Sequence, residues 1–192
     1  MRTLIAIVGL VTLLLTSGAI AQVGTSGRDA GEKFTAIAMS PGGPLTSPVA
    51  TGFEIVIDRW STAAERQRLL ESLKVGQNAA LEVMRDLPRV GYIRVPGNLG
   101  WDLHYAQQTP GEDGGRRIFL GTDRPIGVAE EITQPRTIRY PFTFIELRLD
   151  ERGEGKGKLS RATRVISNPD GRFVQLEDYD VQPVELTEVR RQ

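Results

Sequence analysis

Apolar residues alternate with mostly polar ones from Gly52 to Trp60, so that Phe53, Ile55 and Ile57 share one face. This period of two is typical of a strand with one buried side. A weaker alternation from Lys33 to Met39 predicts an earlier strand. The stretch Ser40–Pro48 between them holds three prolines and two glycines, which predicts a loop.

The period changes to about 3.6 residues immediately after the second strand. Thr62 and Glu65 match a capping box, in which the two side chains accept hydrogen bonds from free backbone N–H groups at a helix start. Leucines then follow at helical spacing, at positions 69, 70 and 73. Together these features predict a helix from about Thr62 to Lys74.

A second helix is predicted directly after the first. Gly76 interrupts the helical pattern, and Asn78–Leu87 resumes it before Pro88 ends it. The two helices form a predicted hairpin at about 62–87, whose apolar side is expected to pack on one face of the sheet. The side chains expected in that contact are Leu69, Leu70, Leu73, Val83 and Leu87.

The chain after Pro88 returns to strand patterns separated by turn signals. The predicted strands are Arg89–Val95, Gly100–Gln107, Arg116–Thr122, Thr137–Asp150, Lys156–Ser167 and Arg172–Tyr179. Consecutive strands joined by short turns form an antiparallel meander. We therefore expect a mainly antiparallel α+β domain of about eight strands with one inserted helical hairpin, built as a sandwich or as a curled partial barrel.

The start of the chain has the three parts of a secretory signal peptide. Arg2 is basic, Leu4–Leu15 is apolar, and Ala19 and Ala21 supply a small-residue cleavage site. The apolar run is shorter than the about 20 residues that a membrane-spanning helix needs. We therefore expect cleavage before Gln22 and no membrane span in the product.

The domain organisation follows from that cleavage. Residues 1–21 are the predicted signal peptide, residues 22–31 a flexible leader, and residues 32–192 a single globular β-rich domain. The expected location is periplasmic or extracellular.

Composition excludes several classes of function. The 24 Lys and Arg residues equal the 24 Asp and Glu residues, which argues against binding nucleic acid through phosphate neutralisation. The absence of Cys excludes thiol catalysis, Cys-ligated zinc and disulfides. A single His cannot supply a typical zinc site, so we expect no metal and no cofactor.

The one histidine, His104, is the strongest candidate for chemistry. Strand alternation places Asp102 on the same face, so the two side chains could act as an oriented general base. Glu146 from a neighbouring strand would complete a hydrolase or isomerase site. No nucleophile motif accompanies them, so we interpret Asp102 and His104 as solvent-facing residues of a strand.

Four aromatic residues are the candidates for ligand binding: Trp101, Tyr105, Phe142 and Phe144. Curled antiparallel sheets can enclose a small ligand, and aromatic side chains then line the cavity. Aromatic residues at alternating strand positions more often build the core, and that interpretation stays open.

Three runs of the sequence resemble a group of uncharacterised secreted proteins from soil bacteria: Phe53–Thr62, Asp86–Arg94 and Tyr140–Leu149. The resemblance covers most of the chain after the predicted signal peptide. It implies no activity, cofactor or partner, so no site residue is transferred from it.

The hypothesis we favour is an exported, non-enzymatic domain whose partner is a small apolar ligand or an envelope component. One alternative is a hydrolase or isomerase that uses Asp102 and His104. Another is a structural protein that pairs with a partner through an exposed strand edge. A cavity in the sheet with His104 directed into it would favour the enzyme, whereas a filled interior would favour interaction.

Overall fold

The computed structural model describes residues 31–40, 49–111, 114–126, 142–161, 164–167, 174–177 and 183–192. Its helices are α1 (Ala63–Val75) and α2 (Gln77–Asp86). Its strands are β1 (Glu32–Ser40), β2 (Val49–Ile57), β3 (Gly91–Arg94), β4 (Trp101–Leu103), β5 (Tyr105–Pro110), β6 (Arg116–Thr122), β7 (Thr143–Leu149), β8 (Glu154–Arg161), β9 (Arg164–Ser167), β10 (Val174–Glu177) and β11 (Val184–Arg191). The predicted signal peptide and residues 22–30 of the predicted leader lie outside the described residues.

Nine of these strands form one antiparallel sheet, in the order β4-β3-β2-β1-β11-β8-β7-β6-β5. The sheet curls into a nearly closed barrel, since its two edge strands, β4 and β5, are separated along the chain by His104 alone. β9 and β10 form a separate two-stranded sheet. The predicted α+β class is therefore confirmed, and of the two predicted architectures the curled barrel is the one observed.

Alternating apolar side chains fill the interior of the barrel. On β2, Phe53, Ile55 and Ile57 are buried as the alternation predicts. Other side chains of the same core with no exposed surface include Phe34, Ile93, Leu103, Ile118, Leu120 and Leu186. In the described part of the chain the barrel interior is thus a packed hydrophobic core.

The sequence pattern missed β11, although this strand lies in the middle of the sheet between β1 and β8. Val184 and Leu186 are buried, but the next buried residue is Val189. Glu188 between them adopts a positive φ of 47°, and the pairing register with β1 and β8 shifts at this point. A β-bulge adds one residue and so breaks the period of two on which the prediction depends.

Helix α1 begins as predicted. The Thr62 side chain accepts a hydrogen bond from the Glu65 backbone N–H, and the Glu65 carboxylate accepts one from the Thr62 N–H. Arg59 also donates two hydrogen bonds to Glu65, at 3.0 and 2.9 Å. Arg59 is the main reason that the pKa of Glu65 lies below its ordinary value, with the backbone bond from Thr62 acting in the same direction. The helix start is therefore tied to the end of β2.

The helical hairpin packs on the outside of the barrel and creates a second apolar cluster. This cluster consists of Phe142 and of three buried side chains from the helices, Leu69, Ala80 and Met84. A Cβ at Gly121 of β6 would lie 3.3 Å from the Met84 Cε atom, so the glycine allows the helix to approach the sheet. Of the contact residues predicted from the sequence, Leu69 and Leu87 are buried, and Leu70, Leu73 and Val83 are partly buried. No helix in the described ranges is long and apolar enough to cross a membrane.

Candidate functional site

The barrel closes at a seam between β4 and β5. β4 pairs with β3, and β5 pairs with β6, so the chain passes from one edge of the sheet to the other at His104. Leu103 and Ala106 both belong to the barrel core, whereas Tyr105 packs against the hairpin cluster on the outside. His104 and Tyr105 are therefore two consecutive residues between the inward-facing Leu103 and Ala106. The alternation predicted for Gly100–Gln107 breaks after His104.

Asp102 and His104, which alternation places on one face, have different surroundings. The Asp102 side chain is 62% exposed and forms an ion pair with Arg89 at 2.9 Å. The His104 side chain is only 17% exposed. Its Nδ1 lies 2.9 Å from the Leu87 carbonyl oxygen, and its Nε2 lies 3.7 Å from an Asp123 carboxylate oxygen. The expectation that His104 faces solvent is wrong, since the side chain sits between the end of α2 and the end of β6.

Replacing His104 with alanine is expected to lower the free energy of unfolding by about 1–2 kcal/mol, because it leaves the Leu87 carbonyl without its donor. His104→Asn is the matched control, since an asparagine amide can donate from nearly the same position as Nδ1. Urea denaturation of the three proteins measures the difference. Equal loss in both variants would show that the hydrogen bond to Leu87 is not what stabilises the seam.

The third catalytic candidate, Glu146, lies on β7 and binds arginines. Its carboxylate accepts hydrogen bonds from Arg117 at 2.7 and 3.0 Å and from Arg148 at 2.8 Å. Burial by itself would raise the pKa of Glu146, but the hydrogen bonds from Arg148 and Arg117 hold it below its ordinary value. The ionised carboxylate therefore forms a cross-strand ion pair with Arg117 and a second ion pair with Arg148 of its own strand. None of these hydrogen bonds involves His104.

Three of the four aromatic ligand-binding candidates meet under the helical hairpin. Phe142 is buried, and Tyr105 and Phe144 pack beside it. The ring centroids of Phe142 and Phe144 are 6.0 Å apart, within the range of aromatic contacts. Trp101 instead packs against the barrel core. The structure therefore divides the predicted aromatic set between two cores, and Tyr105 also lines a concave surface.

That concave surface is a groove of about 430 Å³ beside β5, here called the β5 groove. One wall is the chain between β2 and α1, and the other is β5 itself. Its lining residues are Trp60, Ser61, Thr62, Ala63, Arg66, Tyr105, Ala106, Gln107, Gln108, Thr109, Pro110 and Arg116. The sequence prediction missed this groove, although Pro110 was a usable signal because proline in a sheet is confined to edges, strand starts and bulges.

The two walls of the groove meet at Ser61. Its N–H donates a hydrogen bond to the Ala106 carbonyl at 2.9 Å, and its hydroxyl accepts one from the Ala106 N–H at 3.0 Å. Helix α1 begins two residues later and leads the chain away from β5. The edge of β5 beyond Ala106 therefore lies open along the groove.

The backbone groups on that open edge follow from strand geometry. In an antiparallel strand the N–H and C=O of one residue point to the same side, and successive residues alternate. Because both groups of Ala106 point to Ser61, those of Gln108 also point away from β6. The hydrogen bond from the Gly111 N–H to the Gly115 carbonyl, at 2.9 Å, is consistent with the same alternation. Within the described chain, neither backbone group of Gln108 has a hydrogen-bond partner.

The charged residues of the groove are both arginines. Arg116 donates to Glu32 at 2.8 Å and to the Gln108 side chain at 3.1 Å. Arg66 forms no ion pair with any carboxylate in the described ranges. Burial raises the pKa of the Tyr105 hydroxyl, although the nearby Arg66 acts in the opposite direction. Arg66 also hydrogen-bonds the Tyr105 side chain, so among the described residues its charge has a hydroxyl partner but no carboxylate.

The wall of the groove also contains a buried hydrogen-bond donor that has no acceptor in the described part of the chain. The Nε1 atom of Trp60 is buried and has no acceptor among the described residues. An indole N–H usually finds a partner when it is buried.

No known protein family, curated protein or solved structure matches this chain. The resemblance to secreted soil-bacterial proteins therefore stays a prediction. No group of three or more His, Asp or Glu side chains within the described chain is arranged to hold a metal ion.

Proposed function

We propose that this chain is an exported, non-enzymatic domain that binds an envelope component in the β5 groove. The observation that carries the proposal is the edge of β5, where the backbone groups of Gln108 have no hydrogen-bond partner in the described part of the chain. Trp60 and Arg66 add an aromatic surface and a positive charge on the opposite wall. Binding sites typically combine an apolar surface with a few polar groups of this kind.

The groove favours a polar partner over a small apolar ligand. The described side chains fill the barrel interior, where an apolar ligand would otherwise be held. The walls of the groove include two guanidinium groups and the side chains of Gln107, Gln108 and Thr109. A ligand without hydrogen-bonding groups would remove water from these polar side chains and provide no hydrogen bonds in its place.

The enzyme hypothesis has less support. The described lining of the groove contains hydroxyl groups from Ser61, Thr62, Tyr105 and Thr109 but no histidine and no carboxylate. A hydroxyl nucleophile needs an adjacent base at hydrogen-bond distance. The proposal of export depends on the signal-peptide pattern of Met1–Ala21.

The proposal is tested with protein purified from the periplasmic fraction after expression of the full chain. In a Trp101→Phe background Trp60 is the one remaining tryptophan, so its fluorescence reports on the groove. The probes are peptidoglycan fragments, envelope-protein peptides and fatty acids. We expect peptidoglycan fragments or peptides to shift the Trp60 emission, and Arg66→Gln to weaken that binding by roughly tenfold.

Arg68→Gln is the matched control, because Arg68 lies on the same helix and pairs with Asp86 outside the groove. The same effect from both variants would contradict the proposed site. Fatty-acid binding that is insensitive to Arg66→Gln would favour the apolar-ligand hypothesis. Hydrolytic turnover that is lost in His104→Ala or Asp102→Asn would favour the enzyme.

A further inference from the structure

We infer that the occupant of the β5 groove is an extended peptide segment with an acidic residue, which adds to the edge of β5 as a further strand. This inference rests on the proposed function and specifies the class of its ligand. It combines three observations from the described part of the chain: backbone groups without a partner on a strand edge, a neighbouring segment that already bonds to that edge at Ser61, and an arginine without a carboxylate partner in the opposite wall.

The unpaired groups define what the occupant must offer. The N–H and C=O of Gln108 face the groove, and Pro110 adds a carbonyl for which the described residues provide no donor. Two acceptors and one donor on an extended backbone match the alternating donors and acceptors of another strand. A small molecule would need the same spacing to satisfy them together.

Ser61 already forms hydrogen bonds with this edge of β5. Its backbone N–H donates to the Ala106 carbonyl, and its side-chain hydroxyl takes the place of a strand carbonyl by accepting from the Ala106 N–H, two positions before Gln108. Pairing at Gln108 would continue the same line along β5, since groups on one side of a strand recur every two residues. The chain itself does not continue that pairing, because Ala63 already belongs to α1.

The positive charge of the groove favours a guest segment that contains an acidic residue. Arg66 and Arg116 are the charged lining residues, and Arg116 is already paired with the buried Glu32. Arg66 remains available to a carboxylate on the guest strand. Pro110 at the end of β5 cannot donate a hydrogen bond, which limits the guest to a short segment and opposes open-ended pairing of copies.

Backbone methylation of the probe tests the strand geometry without changing the protein. The probe is a short fluorescein-labelled peptide in which Thr and Val alternate around one central Glu. Two isomers carry N-methyl groups on opposite sets of alternate amides, and only one set can face β5. We expect one isomer to keep the affinity of the parent and the other to lose at least about tenfold. Equal affinities of the two isomers, whether retained or lost, overturn the inference.

Paired variants at Gln108 test the same contact from the protein side. Gln108→Pro and Gln108→Ala both remove the side chain, but only proline removes the N–H that faces the groove. We expect Gln108→Pro to bind the acidic peptide roughly tenfold more weakly than Gln108→Ala, with matching thermal midpoints. Should Gln108→Pro not fold, the methylated isomers decide.

The acidic preference and the identity of the occupant have their own tests. Replacing the central Glu of the probe with Lys is expected to weaken binding by roughly tenfold, and Arg66→Gln is expected to remove that difference. Sedimentation that shows paired copies of the chain excluding the probe would overturn the inference in favour of self-association.

The two proposals can fail separately. Binding of peptidoglycan fragments that depends on Arg66, together with equal affinities of the methylated isomers, would remove the inference and keep the proposed function. Peptide binding that neither Arg66→Gln nor Gln108→Pro weakens would remove both.

Discussion

Replacing Arg116 with leucine is expected to lower the free energy of unfolding by about 3 kcal/mol, near the lower end of the cost of breaking a buried ion pair. Arg116 faces inward at the start of β6 and donates to Glu32, whose side chain is only 6% exposed. The arginine also lies over the Phe34 ring, 5.7 Å from its centroid. Without Arg116 the Glu32 carboxylate keeps only Arg191, which is more exposed, as its ion-pair partner.

The double variant Glu32→Leu/Arg116→Leu is the control for this effect. It replaces both charges by apolar side chains beside Phe34, so most of the lost stability should return. Urea denaturation of the wild-type protein, the two single variants and the double variant measures the coupling. Additive losses in the double variant would mean that the two residues stabilise the end of the barrel independently.

Gly155→Ala is expected to cost about 3 kcal/mol or more, the upper end of the cost of overpacking. Gly155 lies in β8, where a Cβ would come within 1.9 Å of the Arg148 carbonyl oxygen on β7. That atom belongs to the backbone of a paired strand, so relief requires the two strands to separate. Thermal and urea denaturation measure the loss.

Gly52→Ala on β2 provides the comparison, because a Cβ there has no neighbour within 4 Å. This variant should be neutral or slightly stabilising, since alanine restricts the unfolded chain more than glycine does. A similar loss in both variants would show that the general cost of alanine in a strand, and not the contact with β7, explains the effect at Gly155.

The predicted elements that proved correct are those whose signals are local. The period of two in β2 and the capping box at Thr62 and Glu65 each involve a few neighbouring residues. Their physical causes, alternate burial and the free N–H groups of a helix start, act within the same short stretch. The fold class could therefore be predicted without knowing any long-range contact.

The predictions that failed share a different cause, a local change of period. The bulge at Glu188 concealed β11. The break after His104 reversed the positions that follow it, so that Ala106 faces the barrel core and Tyr105 faces the hairpin cluster. A strand pattern assumes that every second residue faces the same side, and one extra residue reverses all the positions that follow.

The candidate site depended on contacts that no stretch of sequence contains. The β5 groove joins Trp60, Ser61 and Arg66 to β5, a strand about forty residues further along the chain. Among the described residues, Arg66 has no acidic partner and the Gln108 backbone has no neighbouring strand, because the chain turns into α1 directly after Ser61 bonds to Ala106.

By itself, then, the sequence determined the antiparallel β class, the helical hairpin and its start, and the buried face of β2. Those features follow from burial and capping within single elements. Only the tertiary structure decided that the sheet curls into a barrel with a filled interior, that His104 lies at its seam, and that β5 keeps an open edge. Each of these depends on which strands become neighbours, and pairing between distant strands is set by the packing of the whole domain.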